Sequence, residues 1–491
     1  MSRDEARTLT HRATHATWWG AAEIMSRYGV HFIVTMVMAR LLDPADFGLL
    51  AMLLVFTTFS TLLAEGGLGS ALVQKQSAST STETSVFLVN LGLGCLLACV
   101  LWLLAPAIAG FYAQPALVPL LQLLLWVIPL SAAATVPNAV LSRELNFRKR
   151  AAAELIASLG SGAVALLLAF RGHGVWSLVW QAVAGAGLRV LLLWLLSAWR
   201  PRGRFDRQAL GGLLRFGGLL LLANAMNLAS MRLQSLLIGR LFDARTLGFY
   251  TLAQDTQQAP AQFMAGLLNR VGLPMFSMVA TQPVKLAGAL RLALRLSAFV
   301  FAPCMAIIAV IAKPLVLVMY GPGWLPAAPL LAILALAAAF WPFHVLNLAA
   351  LSALGRADLV LKLEIAKALV SLPLILAVAK FGALAVAWSV LATSLISVWI
   401  NTWYSSELLG HGMRSQLADA LPILALTLMA AGFAWVVVRF VTPAFVGAII
   451  AVCAAFIVFV AGAAVFRLQA WRDLLEFLQA LRRRKPVGAN T

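Results

Sequence analysis

The sequence predicts an all-α polytopic membrane protein of about 14 transmembrane helices, in two pseudo-symmetric six-helix lobes plus two C-terminal helices. Three observations predict this class. Of 491 residues, 62% are hydrophobic and only 11% are charged, too few charges to cover a water-soluble surface of that size. The apolar residues run in blocks of about 20, the length of helix that crosses a hydrocarbon core of roughly 30 Å. A short motif also recurs 200 positions along the chain. Lipid is the solvent that suits this pattern, and helices satisfy their own backbone groups within it.

Taken in order, the spans are expected at 18–41, 46–72, 84–105, 116–140, 152–170, 174–197, 212–238, 246–276, 292–312, 326–352, 359–379, 383–407, 416–438 and 443–466. The connections are short, with turns marked by Gly172-His173-Gly174 and Gly321-Pro322-Gly323. Trp18, Trp19, Trp199, Trp324, Trp403 and Tyr404 fall near span ends, where amphipathic rings anchor a helix at the interface. Residues 467–485 read as an amphipathic helix whose apolar face, including Leu468, Trp471, Leu474 and Leu478, suits a cytoplasmic membrane surface.

The net charge of +19 is read as loop charge that orients the chain, which excludes nucleic acid as a partner. Of the 37 basic residues, 26 fall on one side of the expected topology, which places both termini in the cytoplasm. Cys95, Cys99, Cys304 and Cys453 all lie in apolar blocks without CxxC or Cys/His spacing, so neither disulfides nor a metal site is expected.

The repeat sets the domain organisation. Ala39-Arg40-Leu41-Leu42-Asp43 with Gly48 recurs as Gly239-Arg240-Leu241-Phe242-Asp243 with Gly248, each copy linking the first two spans of a half. A weaker echo relates Leu145–Glu154 and Gly172 to Leu354–Glu364 and Gly382. The expected divisions are an N-terminal lobe at 1–205, a C-terminal lobe at 206–410, an extra helix pair at 411–466 and a basic cytoplasmic tail at 467–491. An even number of spans per half gives both copies one topology, so the expected axis lies along the membrane normal with a substrate path between the halves.

Ala39–Gly48 (ARLLDPADFG) and Leu63–Gln74 (LAEGGLGSALVQ) resemble the N-terminal signature of polysaccharide-exporting flippases, the Wzx-type members of the multidrug/oligosaccharidyl-lipid/polysaccharide superfamily. The resemblance implies a twelve-span core plus two spans, and an undecaprenyl-pyrophosphate-linked oligosaccharide as cargo. That cargo would turn from the cytoplasmic to the periplasmic leaflet of the inner membrane. It further implies a transporter and not an enzyme, without cofactor, with membrane lipids and a polysaccharide polymerase among its partners. The chain carries no GxxxxGK[ST] phosphate loop.

Charges at membrane depth cost roughly 2.5–3.5 kcal/mol on insertion scales, so each needs a reason. Glu23, Arg27 and His31 lie four residues apart on one face of the first span. Arg27, Arg270 and Arg232 are the candidates for binding pyrophosphate, because a guanidinium matches phosphate oxygens in pairs. Asn224 and Asn227, with Gln254, Gln258, Gln262 and Asn269, would line a glycan path; the three glutamines repeat every fourth residue. Interhelical hydrogen bonding uses the same residue types. Asp255, Glu65, Glu23 and His31 are the candidates for coupling to an ion gradient. Arg189 has equal claims to a structural and a functional role. A cation-coupled multidrug exporter of the same superfamily is the alternative reading. A membrane polysaccharide polymerase or ligase fits the short loops less well.

Overall fold

The computed structural model describes residues 29–74, 79–144 and 146–483. Among them all regular structure is helical, and the chain is an all-α polytopic membrane protein. In chain order the helices are α1 (Gly29–Leu41), α2 (Pro44–Glu65), α3 (Leu68–Gln74), α4 (Thr80–Tyr112), α5 (Leu117–Leu124), α6 (Val127–Arg143), α7 (Phe147–Phe170), α8 (Val175–Leu196), α9 (Arg207–Leu241) and α10 (Ala244–Met278). They continue as α11 (Pro283–Val310), α12 (Ala312–Tyr320), α13 (Ala327–Ala338), α14 (Trp341–Ala353), α15 (Ala357–Val378), α16 (Ala383–Leu409), α17 (Met413–Phe440), α18 (Ala444–Val465) and α19 (Gln469–Arg483).

Among the described residues ten segments are long and apolar enough to cross a membrane, with α2–α3, α5–α6 and α13–α14 each counted as one. The other expected spans coincide with α1, α9, α10 and α15. The first of these is described only from Gly29. Helices α9 and α10 carry the polar residues singled out above, and α15 opens with Asp358, Lys362, Glu364 and Lys367.

The chain divides into two compact units, Met1–Leu252 and Ala253–Thr491. In the first, both copies of the repeated motif do the same local job. Asp43 caps α2 by accepting from the Ala45 amide at 3.2 Å, while Asp46 reaches back to the Asp43 amide at 3.2 Å. Asp243 caps α10 by accepting from the Thr246 amide at 2.9 Å. Hydrogen bonds from Thr246, led by its side chain, hold the Asp243 carboxyl below its ordinary pKa. Each cap satisfies amides that the first helical turn leaves without partners.

The two capped starts then cross with backbone against backbone. A Cβ on Gly48 would stand 1.7 Å from the Ala244 carbonyl oxygen, and one on Gly248 would stand 1.9 Å from that of Pro44. The contact is reciprocal: the residue after each aspartate meets the glycine of the other copy. Only glycine permits such an approach.

Elsewhere in this unit α3, α4 and α6 enclose Leu72, Val86, Val136 and Trp199. Trp199 is buried against Phe87 and Trp194, so it serves as core and not as an interfacial anchor. Trp324, in the second unit, is likewise buried, whereas Trp403 is exposed. The segment before α9 is tied to the start of α4, where Thr84 accepts from the Gly203 amide at 3.1 Å and Ser85 from the Asp206 amide at 2.6 Å. Glu83 pairs with Arg143 beneath it.

In the second unit a buried polar network joins α14, α16 and α17. The Asn347 carbonyl oxygen accepts from Ser405 at 2.6 Å and from Gln416 at 2.9 Å. Beside it, Ser394 donates to the Ala337 carbonyl at 2.9 Å and lies 3.1 Å from His344 Nε2. Ser394 has one proton, so His344 donates through Nε2 and accepts at Nδ1 from Asn401, 3.0 Å away. Where α11 and α17 meet α19, Asp419 takes both arms of Arg291 at 2.7 Å. Arg295 binds Asp473 of α19 at 2.8 Å. Ala470, Trp471 and Leu474 pack on the core of this unit, so this part of the amphipathic face is covered by the protein's own helices. Burial pushes the His411 imidazole below its ordinary pKa, with Asp419 opposing.

The glycine crossing yields a direct prediction. Gly48→Ala or Gly248→Ala should destabilise the purified protein by about 1–3 kcal/mol or more, because the helices must separate. Gly92→Ala, in α4 with nothing within 4 Å of the new methyl, should be neutral or gain up to about 1 kcal/mol. Thermal unfolding in detergent checks both; equal midpoints for Gly48→Ala and Gly92→Ala would refute the crossing.

Candidate functional site

A cavity of about 690 Å³ in the first unit is lined by α1, α2, α3, α6, α7, α8 and α9. Its existence follows from local sequence. Gly66 and Gly67 take positive φ angles of 58° and 67°, which breaks the span between α2 and α3 and brings Glu65 and Ser70 to the cavity wall. Opposite, α7 and α8 present Ala157, Ala182, Gly185 and Ala186; these small side chains leave volume unfilled. A methyl on Gly69 would come within 2.8 Å of Thr135. A second cavity of about 460 Å³ shares Glu65 and Asn224 with the first and adds Thr57, Thr58 and Thr61.

The charges converge on one guanidinium. Arg189 of α8 approaches Glu154 of α7, Nε to Oε2, at 3.2 Å, its side chain 41% exposed and that of Glu154 13%. Arg189 also acts electrostatically on Glu65, and His31 completes the set of ionisable groups lining this wall among the described residues. Arg189 thus acts on both carboxylates of this wall.

Part of the remaining wall is polar without being charged. Ser131, Thr135, Asn138 and Ser142 follow one another on a single face of α6, and Ser158, Ser161 and Gln181 face the same space. Many of these hydroxyls donate to carbonyls of their own helix: Thr135 to Ser131 at 3.2 Å, Ser142 to Asn138 at 2.6 Å, and Ser161 to Ser158 at 3.2 Å. Thr57 and Thr61 do so at 3.2 and 2.8 Å. Their oxygen lone pairs remain available to whatever occupies the cavity.

The structure brings three of the expected site residues together here: His31, Glu65 and Asn224. Gln254 and Gln258 are half-buried on α10 in the second unit, with Asp255 exposed between them. Arg232 is half-buried on α9. Glu23 and Arg27 lie outside the described residues, as do the side chains of Asn227, Gln262, Asn269 and Arg270. Sequence reasoning passed over Glu154 and the hydroxyl face of α6. The spacing of Ser131, Thr135, Asn138 and Ser142 was a usable signal, whereas the pairing of Glu154 with Arg189 requires knowing that α7 and α8 pack together.

The sequence profile of the family described as "Polysaccharide biosynthesis protein" matches residues 37–329. Among individual proteins, the succinoglycan biosynthesis transport protein ExoT of Rhizobium meliloti (strain 1021) is 29% identical over 323 residues, 66% of this chain and 65% of that one. The match thus covers just under two thirds of that relative. The teichuronic acid biosynthesis protein TuaB of Bacillus subtilis (strain 168) is 25% identical across 71% of this chain and 72% of its own. The lipopolysaccharide biosynthesis protein WzxC of Escherichia coli (strain K12) is 24% identical across 67% of each. Among solved structures, the lipid II flippase MurJ in an inward closed conformation shares the fold with a TM-score of 0.74, covering 95% of this chain and 99% of that one at 13% identity. An inward-facing multidrug resistance MATE family transporter of the MOP superfamily gives 0.60, over 80% of this chain and 94% of that one at 14% identity.

The ion pair can be tested by itself. Arg189→Ala leaves Glu154 without its guanidinium in a site that is mostly buried on the carboxylate side. It should cost about 1–3 kcal/mol, with much of the loss recovered when Glu154→Gln is added. Additive effects in a double-mutant cycle of unfolding in detergent would show that the pair is not coupled.

Proposed function

The chain belongs to the polysaccharide biosynthesis protein family, and from that membership we propose that it is a lipid-linked oligosaccharide flippase. Its cargo is an undecaprenyl-pyrophosphate-linked oligosaccharide, moved from the cytoplasmic to the periplasmic leaflet by alternating access and destined for surface polysaccharide. The observation that carries this reading is the polar cavity sunk among apolar helices, in a chain whose fold matches a lipid II flippase over 95% of its length. A transporter needs a wet volume that lipid cannot enter, and a bundle core of small residues provides it. The orientation that goes with this has both termini in the cytoplasm, following the distribution of basic residues. A polysaccharide polymerase would take the delivered unit on the far side.

In this reading Arg27, Arg270 and Arg232 meet the pyrophosphate, since paired N–H groups match phosphate oxygens. Asp255 is the first candidate for coupling to an ion gradient, with Glu65, Glu23 and His31 behind it, because a carboxylate facing water binds a proton or sodium. Asp255 is exposed on α10, which suits an exchangeable site. The MATE-like fold also admits a cation-coupled drug exporter. The family match over residues 37–329 favours the polysaccharide cargo.

Two experiments test the reading. Arg27→Ala and Arg270→Ala should each abolish polymer export in a deletion strain while leaving insertion and abundance unchanged; normal export in both would remove the pyrophosphate assignment. Translocation in proteoliposomes should respond to an imposed proton gradient, and Asp255→Asn should lose that response. A gradient response that survives the substitution would place coupling elsewhere.

A further inference from the structure

The connection between α8 and α9 forms a basic strap across one end of the first unit, and we propose that it binds the headgroup of an anionic phospholipid. The site stands apart from the cavity and the cargo, so its failure leaves the flippase reading untouched. Residues 197–206 run without helix or strand, yet they are fastened along their length. Trp199 is buried against Phe87 and Trp194. Arg200 gives Nη1 to the carbonyls of Ser197 and Trp199 at 2.9 and 2.6 Å. Gly203 lies so close on the start of α4 that a Cβ would stand 2.5 Å from the Ser81 Cα. Its amide donates to Thr84 at 3.1 Å, and the Asp206 amide donates to Ser85 at 2.6 Å. Between and beside these fastenings Arg202, Arg204, Phe205 and Arg207 are exposed, Phe205 by 54%.

The fastened backbone holds like charges together that an unanchored loop would let part. Within 202–207 three arginines stand against one acid, Asp206, whose Oδ1 accepts from the Gln208 amide at 3.0 Å. Glu83, on the α4 turn beneath, is engaged by Arg143. Such an array calls for an anion, and a guanidinium meets a phosphate with paired N–H groups. The exposed ring narrows the choice. A free phosphate gives Phe205 nothing to bury against, whereas a phospholipid brings glycerol and acyl carbon next to its phosphate. Lipid also reaches this level: Leu191 and Leu195, at the end of the apolar span α8, are 54% and 67% exposed. An acidic protein segment would have to compete with the lipid that already surrounds the span. A choline or ethanolamine headgroup carries its own cation, which the arginines repel. The preference is therefore for a headgroup of net negative charge, such as that of phosphatidylglycerol.

The test separates headgroup charge from lipid in general. The full chain, purified in detergent, is equilibrated with radiolabelled phosphatidylglycerol or with phosphatidylcholine of the same acyl chains. The wild type should hold phosphatidylglycerol at least about tenfold more tightly, since each arginine beside an anionic headgroup contributes up to about fivefold. The strap variant Arg202→Gln/Arg204→Gln/Arg207→Gln should bring the two lipids within about twofold of each other. Phe205→Ser should weaken both lipids by about threefold and keep their ratio. An equal loss of charge elsewhere, Arg414→Gln/Arg467→Gln/Arg472→Gln on exposed arginines of the second unit, should keep the preference. If the thermal midpoint of the strap variant falls, the single variants are measured, each expected to lose about two- to fivefold of the preference. A wild type without preference, a strap variant that keeps it, or a second-unit variant that loses it equally overturns the site. So does displacement of the lipid by excess inorganic phosphate, which makes the ligand a free anion, or by poly-L-glutamate, which makes it an acidic protein. An affinity unchanged by Phe205→Ser overturns the lipid assignment too, since the ring is what selects lipid over a free anion.

Discussion

The backbone contact between the starts of α2 and α10 constrains the rest of the first unit. Gly48 lies against the carbonyl of Ala244 and Gly248 against that of Pro44, so neither helix can rotate about its axis without driving a Cα into a neighbouring peptide. The aspartates before these helices fix where each begins, and a helix whose start is capped has a defined phase for the residues that follow. Two caps and two glycines thus set the register of α2, and the register of α2 decides that Leu54, Thr61 and Glu65 face the cavity. The duplicated motif joins its own two copies to each other.

From that joint the cavity follows by a second backbone device. The left-handed pair Gly66-Gly67 ends α2 one residue after Glu65 and lets α3 turn away, so the carboxylate stands at the break. Arg189 reaches the same space from α8, and Glu154 from α7. Each of these charges alone would be costly among apolar helices. Together they compensate one another in part, and the half-exposed guanidinium keeps contact with the cavity. The site is therefore a consequence of helix packing, since its charged members come from elements separated in the chain.

That origin explains which parts were legible beforehand. The helical segments could be read because hydrophobic block length is a local property, and Asp43 with Gly48 could be matched to Asp243 with Gly248 because a repeat needs only the sequence. The weight placed on Glu23, Arg27 and His31 came from periodicity along one helix; of these only His31 lies among the described residues, and it does line the cavity. Glu154 stands near the start of an expected span and went unremarked, because nothing local announces Arg189 as its neighbour. Trp199 sits next to a run of arginines and read as an interfacial ring; the return of its loop onto α4 buries it instead. Position relative to a span end is thus a weak guide where a loop folds back on the bundle.

The hydroxyl wall was hidden for a deeper physical reason, which also accounts for how it can exist. Serine and threonine in an apolar helix are cheap when their proton goes to a carbonyl of the preceding turn, as Thr57, Thr135 and Ser142 do. Such a residue raises little objection to insertion, so the hydropathy of α2 and α6 stays that of membrane spans. Intrahelical bonding removes the donor and not the acceptor. A helix of this kind enters the membrane as an apolar segment and, once packed around a cavity, shows oxygen lone pairs to the interior. Carboxamides and charges give stronger contacts at a higher insertion cost, and on this wall Arg189 and Glu154 offset each other's charge.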